Sequence, residues 1–232
     1  MTKEEFIREL AGSGLSLSSG QLEQLDSYAA FLKEYNEKIN LTAITDYEDV
    51  LDKHFYDSLL GFLDLKMEGV LADIGTGAGF PGAVLKVCYP DLKVVLVEPI
   101  RKRCVFLEGL IEKLGLKDIE VINSRGEDLS LVEREKYDYV TARAVSSLDI
   151  LIEVCGALVK KGGCFVALRG AGGKEEITEA SKAIKTMGFE VKEIKEKQLH
   201  DGSKRVIGIL EKVSETPKKF PRKYSIIKQK PL

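Results

Sequence analysis

From Val70 onward the chain alternates short apolar runs with amphipathic stretches of helical period, and no other feature narrows its fold as much. Runs near 70–74, 93–98, 119–123, 137–142 and 164–169 read as strands, with helical stretches between them. This alternation predicts a parallel sheet covered by crossover helices. Two further runs, 189–199 and 204–213, are joined only by the turn LHDGSK. A parallel crossover needs about a dozen residues, so these two strands must pair antiparallel. The expected architecture is a doubly wound, mostly parallel α/β sheet of seven strands with an antiparallel terminal hairpin.

The helices between the strands are marked by apolar stripes and stops. Ile100, Cys104, Leu107, Ile111 and Leu114 share one face, and Gly115 is placed to end that helix. Further helices are expected at about 146–160 and 175–187. Upstream of the sheet, Leu22, Leu25, Ala29, Leu32 and Tyr35 recur at three- and four-residue steps behind a Ser18/Gln21 capping box. A second helix is expected behind Thr45 and Glu48, with Val50, Leu51, Phe55, Leu59, Phe62 and Leu63 on its buried face. The chain thus divides into a helical extension (1–66), an α/β domain (67–214) and a basic tail (215–232).

Composition excludes several classes. With 44% hydrophobic and 31% charged residues among 232, the chain can fold around one sizeable core rather than remain disordered. No apolar run approaches the roughly 20 residues of a membrane span, and the start MTKEEFIREL lacks a secretory apolar core, so a cytoplasmic protein without membrane partners is expected. Cys88, Cys104, Cys155 and Cys164 form no CxxC pair and have no histidine cluster nearby; buried thiols are expected and no metal site. The formal net charge of −2 gives no basic excess overall. Its distribution is uneven, because residues 1–66 hold 6 Lys/Arg against 13 Asp/Glu, whereas residues 216–232 hold 6 Lys/Arg and no acid. The tail is therefore a local basic patch suited to phosphates.

The main chemical signal is GVLADIGTGAGFPG, residues 69–82, where a strand runs directly into glycines at 75, 77, 79 and 82. Glycine accepts positive φ and lets a ligand approach the backbone, and the helix that follows offers free N–H groups to an anion. A tight turn with no ligand would also use glycines. Gly77, Gly79 and Gly82 satisfy the dinucleotide pattern GxGxxG, but that register starts late and sets Pro81 inside the turn. The triplet Gly75, Gly77, Gly79 begins immediately after the strand, and Asp73 at the strand end suits a cationic amine or sulfonium and repels a pyrophosphate. With the terminal hairpin, this favours S-adenosylmethionine over NAD and a class I methyltransferase fold.

Glu98 ends the second strand, 23 residues after Gly75, close to the offset of about 20 at which an acid reaches ribose hydroxyls. After the third strand, Gly126 and Glu127 are placed to read an adenine edge, although capping or plain surface charge would explain them equally. Arg143, in TARAV past the fourth strand, opens onto the same edge; a structural ion pair is its alternative reading. Neither a polar-Pro-Pro-aromatic segment nor a cleft cysteine is present to methylate an exocyclic amine or a pyrimidine carbon. A ring nitrogen with a lone pair, such as guanine N7, needs only alignment in a dry site, so no catalytic acid or base is expected; Arg143 is the one candidate for a direct part.

In this order, YNEKINLTAI, HFYDSL, DIGTGAGFPG, RGEDL, TARAV and the basic end FPRK…KPL resemble the bacterial small-subunit rRNA guanine-N7 methyltransferases, also called RsmG or glucose-inhibited division protein B. The resemblance covers nearly the whole chain. It implies methyl transfer from S-adenosylmethionine, leaving S-adenosylhomocysteine, to N7 of one guanosine in the 530 loop of 16S rRNA, by a monomer acting on the rRNA or the small ribosomal subunit. Cofactor contacts would fall on Gly75, Phe80, Gly126, Glu127 and Arg143, with Asp73, Gly77 and Glu98 beside them. Asn36, Asn40, Thr42 and His54 would border RNA or cofactor, and Lys218, Lys219, Arg222 and Lys223 would hold RNA. A lone histidine such as His54 is also a common packing residue. In this chain Gly126 stands where alanine is common, Glu98 where aspartate is common, and YSIIKQ replaces a Pro/Gly-rich stretch of the tail. A small-molecule acceptor and a non-catalytic RNA-binding module are the competing readings.

Overall fold

The computed structural model describes residues 1–143 and 146–232. Ala144 and Val145, the end of the TARAV segment, lie outside the described residues. The sheet has seven strands in the order β3-β2-β1-β4-β5-β7-β6. These are β1 (Val70–Ile74), β2 (Lys93–Val97), β3 (Ile119–Ile122), β4 (Tyr137–Arg143), β5 (Val159–Arg169), β6 (Phe189–Gln198) and β7 (Lys204–Lys212). The first five pair parallel, and β7 inserts antiparallel between β5 and β6. The chain order reverses between β1 and β4, which opens a crevice at the carboxyl ends of those strands. The seven-stranded, doubly wound expectation is borne out.

Helices cover both faces. One face carries α1 (Lys3–Gly12), α2 (Ser19–Asn36), α5 (Gly82–Cys88) and α6 (Arg101–Leu114), and Phe6, Leu25, Tyr28, Phe55, Leu85 and Leu107 share its apolar core. The N-terminal helices thus pack into the same core as the glycine-loop helix. The other face carries α7 (Gly126–Val132), α8 (Leu148–Gly156), α9 (Gly173–Glu179) and α10 (Ser181–Thr186), with α11 (Tyr224–Gln229) from the tail. Gly115 ends α6 at φ +63, taking the left-handed turn that closes the helix. Ile100 does not join the α6 stripe; it caps the helix and is 40% exposed.

Several elements differ from their sequence patterns. Asp46, not Thr45, caps the second N-terminal helix, accepting from the N–H groups of Glu48 and Asp49. That helix is not regular: α3 (Tyr47–Val50) passes into a π-helical turn, Leu51–Tyr56, and then α4 (Asp57–Leu59). The π turn widens the coil and carries Asp52 and His54 inward beside the apolar stripe, and Asp57 follows at the start of α4; all three are buried. The helix expected over 146–160 is shorter, because β5 starts at Val159 and runs through Gly162 and Gly163. The helix expected over 175–187 is two short helices meeting at Ala180.

Candidate active site

Asp73 organises the glycine loop from beneath. It is fully buried, and its Oδ2 accepts from the Thr76 hydroxyl at 2.6 Å and the Gly82 N–H at 2.8 Å. The first N–H of α5 is therefore already used and is not free for an anion, contrary to the sequence expectation. Gly75, Gly77 and Gly79 all adopt positive φ. At Gly79 the requirement is also steric, since a Cβ there would meet the Tyr28 hydroxyl, which donates to the Ala78 carbonyl at 2.5 Å. At Gly77 a Cβ would meet nothing, so the loop crest faces open space.

The unused oxygen of Asp73, Oδ1, is buried without a partner. Burial pushes the Asp73 carboxyl up to about 6, against the opposing pull of the Thr76 and Gly82 bonds and of Arg143. Such an oxygen is incomplete without a donor, and a cationic donor would complete it. Glu98 lies across the loop and is 1% exposed. Its two oxygens accept from Gly77 N–H at 3.0 Å and Ile100 N–H at 2.9 Å, and the Arg103 guanidinium is 3.9 Å away. Glu98 is therefore buried at the strand end and does not face solvent. Each oxygen keeps a lone pair, which two ribose hydroxyls can use.

Two cavities flank the end of β4. The smaller, about 90 Å³, is lined by Ile74, Gly75, Gly126, Glu127, Val154 and Tyr224. It brings together Gly75, Gly126 and Glu127 from the predicted set. Gly126 is needed for space, since a Cβ would come within 2.6 Å of Ile74 and 2.8 Å of Val154. Glu127 pairs with Arg125 at 2.7 Å. The larger cavity, about 410 Å³, is lined by Lys53, His54, Asp57, Arg143, Arg169 and Arg205. Arg143 thus opens into this cationic cavity rather than the glycine-loop slot, and it also makes the structural ion pair weighed against function: Nη1 donates to Asp57 at 3.1 Å. Arg205 Nε holds the other oxygen of Asp57 at 2.7 Å.

Phe80 packs against two residues of the larger cavity's wall, His54 and Arg143. It is buried, stacked on His54 at 4.4 Å and on Tyr28 at 5.5 Å, with the Arg143 guanidinium 5.2 Å from its centroid. His54 is 8% exposed; burial, then repulsion from Arg143, lowers its pKa to about 4, so the ring is neutral at neutral pH. Its Nε2 meets the Thr42 hydroxyl at 2.8 Å, while Nδ1 is buried without a partner. Asn36 is spent on shaping the connector: its Oδ1 accepts from Leu41 and Thr42 N–H and its Nδ2 donates to the Thr42 carbonyl. Asn40 is exposed beside this knot.

In the tail, Lys218, Lys219 and Lys223 are exposed, but Arg222 is not available to RNA. Its backbone N–H, Nε and Nη2 all donate to the fully buried Glu153 of α8. Residues that sequence reasoning missed include Thr76, Asp57, Arg169, Arg205 and Tyr224. HFYDSL contained Asp57, but nothing local marked Arg205 or Tyr224. The four cysteines are all buried and line neither cavity, and burial raises each thiol. Among the described residues no group of acids, cysteines and histidines could hold a metal ion.

Against known families, the model for rRNA small subunit methyltransferase G matches residues 21–207. The chain belongs to the rRNA small subunit methyltransferase G family. Curated members are similar over essentially their whole length. The ribosomal RNA small subunit methyltransferase G of Brevibacillus brevis is 44% identical, covering 100% of both chains. That of Bacillus licheniformis is 46% identical, covering 96% of this chain and 95% of the relative. Among solved structures, TYW2 from M. jannaschii, in complex with AdoMet, superposes with a TM-score of 0.58 at 14% identity over 74% of this chain and 80% of its own. A 16S rRNA (adenine(1408)-N(1))-methyltransferase from Catenulisporales acidiphilia gives 0.53 at 15% identity over 62% and 85%. These two likenesses bear on the fold alone. For a family that transfers methyl groups, the orphaned Asp73 oxygen, the Glu98 carboxylate and the apolar slot at Gly126 fit an adenosyl group that carries an ammonium.

Proposed function

We propose that this chain methylates N7 of a guanosine in the 530 loop of 16S rRNA, with S-adenosylmethionine as donor. Family membership along the full chain supports the rRNA substrate, and the observation that carries the chemistry is the pair of unlike cavities flanking the end of β4. One is mostly apolar, with Glu127 as the carboxylate in its lining; the other is lined by Lys53, Arg143, Arg169 and Arg205. S-adenosylmethionine supplies a methyl group activated on a sulfonium. Asp73 would hold its amino group, Glu98 the ribose hydroxyls, and Gly75, Gly77, Gly126 and Glu127 the backbone path and base edge.

The cationic cavity is the acceptor side, where arginines attract the RNA backbone and position a base without removing a proton from it. Arg143 is held by Asp57, which steadies its guanidinium against Phe80 and keeps it from blocking the base nitrogen. Neutral His54 adds no charge to this wall. No cysteine lines it, which fits an acceptor that needs no covalent intermediate. In this reading residues 1–66 wall the acceptor side, 67–214 carry the cofactor, and the tail from 215 binds phosphates through Lys218, Lys219 and Lys223. The protein acts as a monomer in the cytoplasm; among the described residues no helix is long and apolar enough to cross a membrane.

The test is methylation of undermodified small subunits and, in parallel, of naked 16S rRNA, with isotopically labelled donor and mass spectrometry of nuclease fragments. Labelled 7-methylguanosine in the 530-loop fragment is expected. Label in another base, or none with either substrate, overturns the proposal.

A further inference from the structure

The small cavity has one wall that belongs neither to the sheet edge nor to the crossover helices. Tyr224, the first residue of α11, lines it together with Ile74, Gly75, Gly126 and Glu127. Its ring is stacked under the Arg125 guanidinium, 5.0 Å from the centroid, and Arg125 is itself fixed by Glu127 at 2.7 Å. The tail is anchored on both sides of this ring. Arg222, two residues before it, donates three times to buried Glu153; Ile227, three residues after it, is 0% exposed in the core against α8. Arg134 adds bonds to the carbonyls of Thr216 and Phe220. A segment that the sequence marks only as basic is thus docked, with an aromatic ring among the lining residues of the small cavity.

We infer that Tyr224 is a cofactor-binding residue: its ring, backed by Arg125, closes the adenosyl slot of the methyltransferase from the C-terminal side. The inner walls, Ile74, Ile150, Leu151 and Val154, are aliphatic, so Tyr224 supplies the one aromatic face among the lining residues on which a base can stack. The slot of about 90 Å³ is narrow for a nucleoside, and of its walls a six-residue helix at the chain end yields more readily than a sheet edge. The same segment turns Lys223 and Lys228 outward, so RNA bound to those lysines would hold the wall in place over the cofactor.

This inference rests on the proposed function, and its test separates the two. Calorimetry of the full chain with S-adenosylhomocysteine comes first; absence of binding to the unaltered protein would sink the proposed function. If it binds, Tyr224→Ala is expected to weaken affinity about tenfold, the worth of one base–aromatic stack, with Tyr224→Phe within about twofold of the unaltered protein. RNA affinity without cofactor should be unchanged in both. Equal affinities for Tyr224→Ala and the unaltered protein, or equal losses in the Ala and Phe variants, overturn the inference. Should Tyr224→Ala not fold, Tyr224→Trp serves instead, because the chain has no tryptophan of its own. Its fluorescence must change saturably with S-adenosylhomocysteine; an unchanged spectrum at saturating ligand rejects the assignment.

Discussion

Asp73 and His54 are both shut off from solvent beside the glycine loop, and burial drives each toward its neutral form, with opposite consequences for stability. The unfolded chain protonates His54 near pH 6.5. The folded chain does so only near 4, so between these values the unfolded state holds more protons and stability falls as the pH falls. Asp73 runs the other way: its folded pKa of about 6 lies above the unfolded carboxylate value, so acidification through that window adds stability. Comparing variants isolates each group. Between pH 7 and pH 4.5, His54→Gln should lose about 2 kcal/mol less stability than the unaltered protein in urea denaturation; equal losses would remove His54 as the source. Asp73→Asn should stay within about 1 kcal/mol of the unaltered stability at pH 7, because it deletes a charge that burial already disfavours. It should nevertheless bind S-adenosylhomocysteine at least about tenfold more weakly, by calorimetry. Unchanged affinity would deny Asp73 a place in the site.

At the level of elements, two segments behave as their local patterns did not foretell. The stripe Val50, Leu51, Phe55, Leu59 is a sound helical signal, and those residues are buried. The π turn lies inside it because Asp52, His54 and Asp57 also find partners or packing at the sheet edge. Asp52 accepts from the N–H groups of His200 and Asp201 in the β6–β7 turn, a partner no periodicity reveals. The tail is the second case. Its lysines were legible as charge, but Arg222 reads the same as its neighbours in sequence and is instead the partner of a buried acid. Removing it strands Glu153 in the core, so Arg222→Ala should cost about 3 kcal/mol in denaturant unfolding and expose the tail to trypsin at Lys223. A cost below about 0.5 kcal/mol would mean that the pair contributes no more than a surface bridge.

For the molecule as a whole, charge is sorted across the carboxyl edge of the sheet: the buried carboxylates Asp73 and Glu98 at the glycine loop, guanidinium groups around the larger cavity, exposed lysines on the tail. RNA binding should therefore weaken as salt rises, and each lysine taken away from the RNA backbone should flatten that dependence. Replacing Lys218, Lys219 and Lys223 together by alanine should lower the slope of log K against log salt by about 2. Cofactor affinity without RNA should not move. An unchanged slope would put the RNA elsewhere. The seven strands, the parallel pairing, the terminal hairpin and the glycine loop were all readable beforehand, because periodicity, connection length and positive-φ glycines are properties of neighbouring residues. The larger cavity was not. Its Asp57–Arg205 bond spans 148 residues and Tyr224 reaches the slot from the far end of the chain, so only packing, which brings distant segments to one sheet edge, decides those partners.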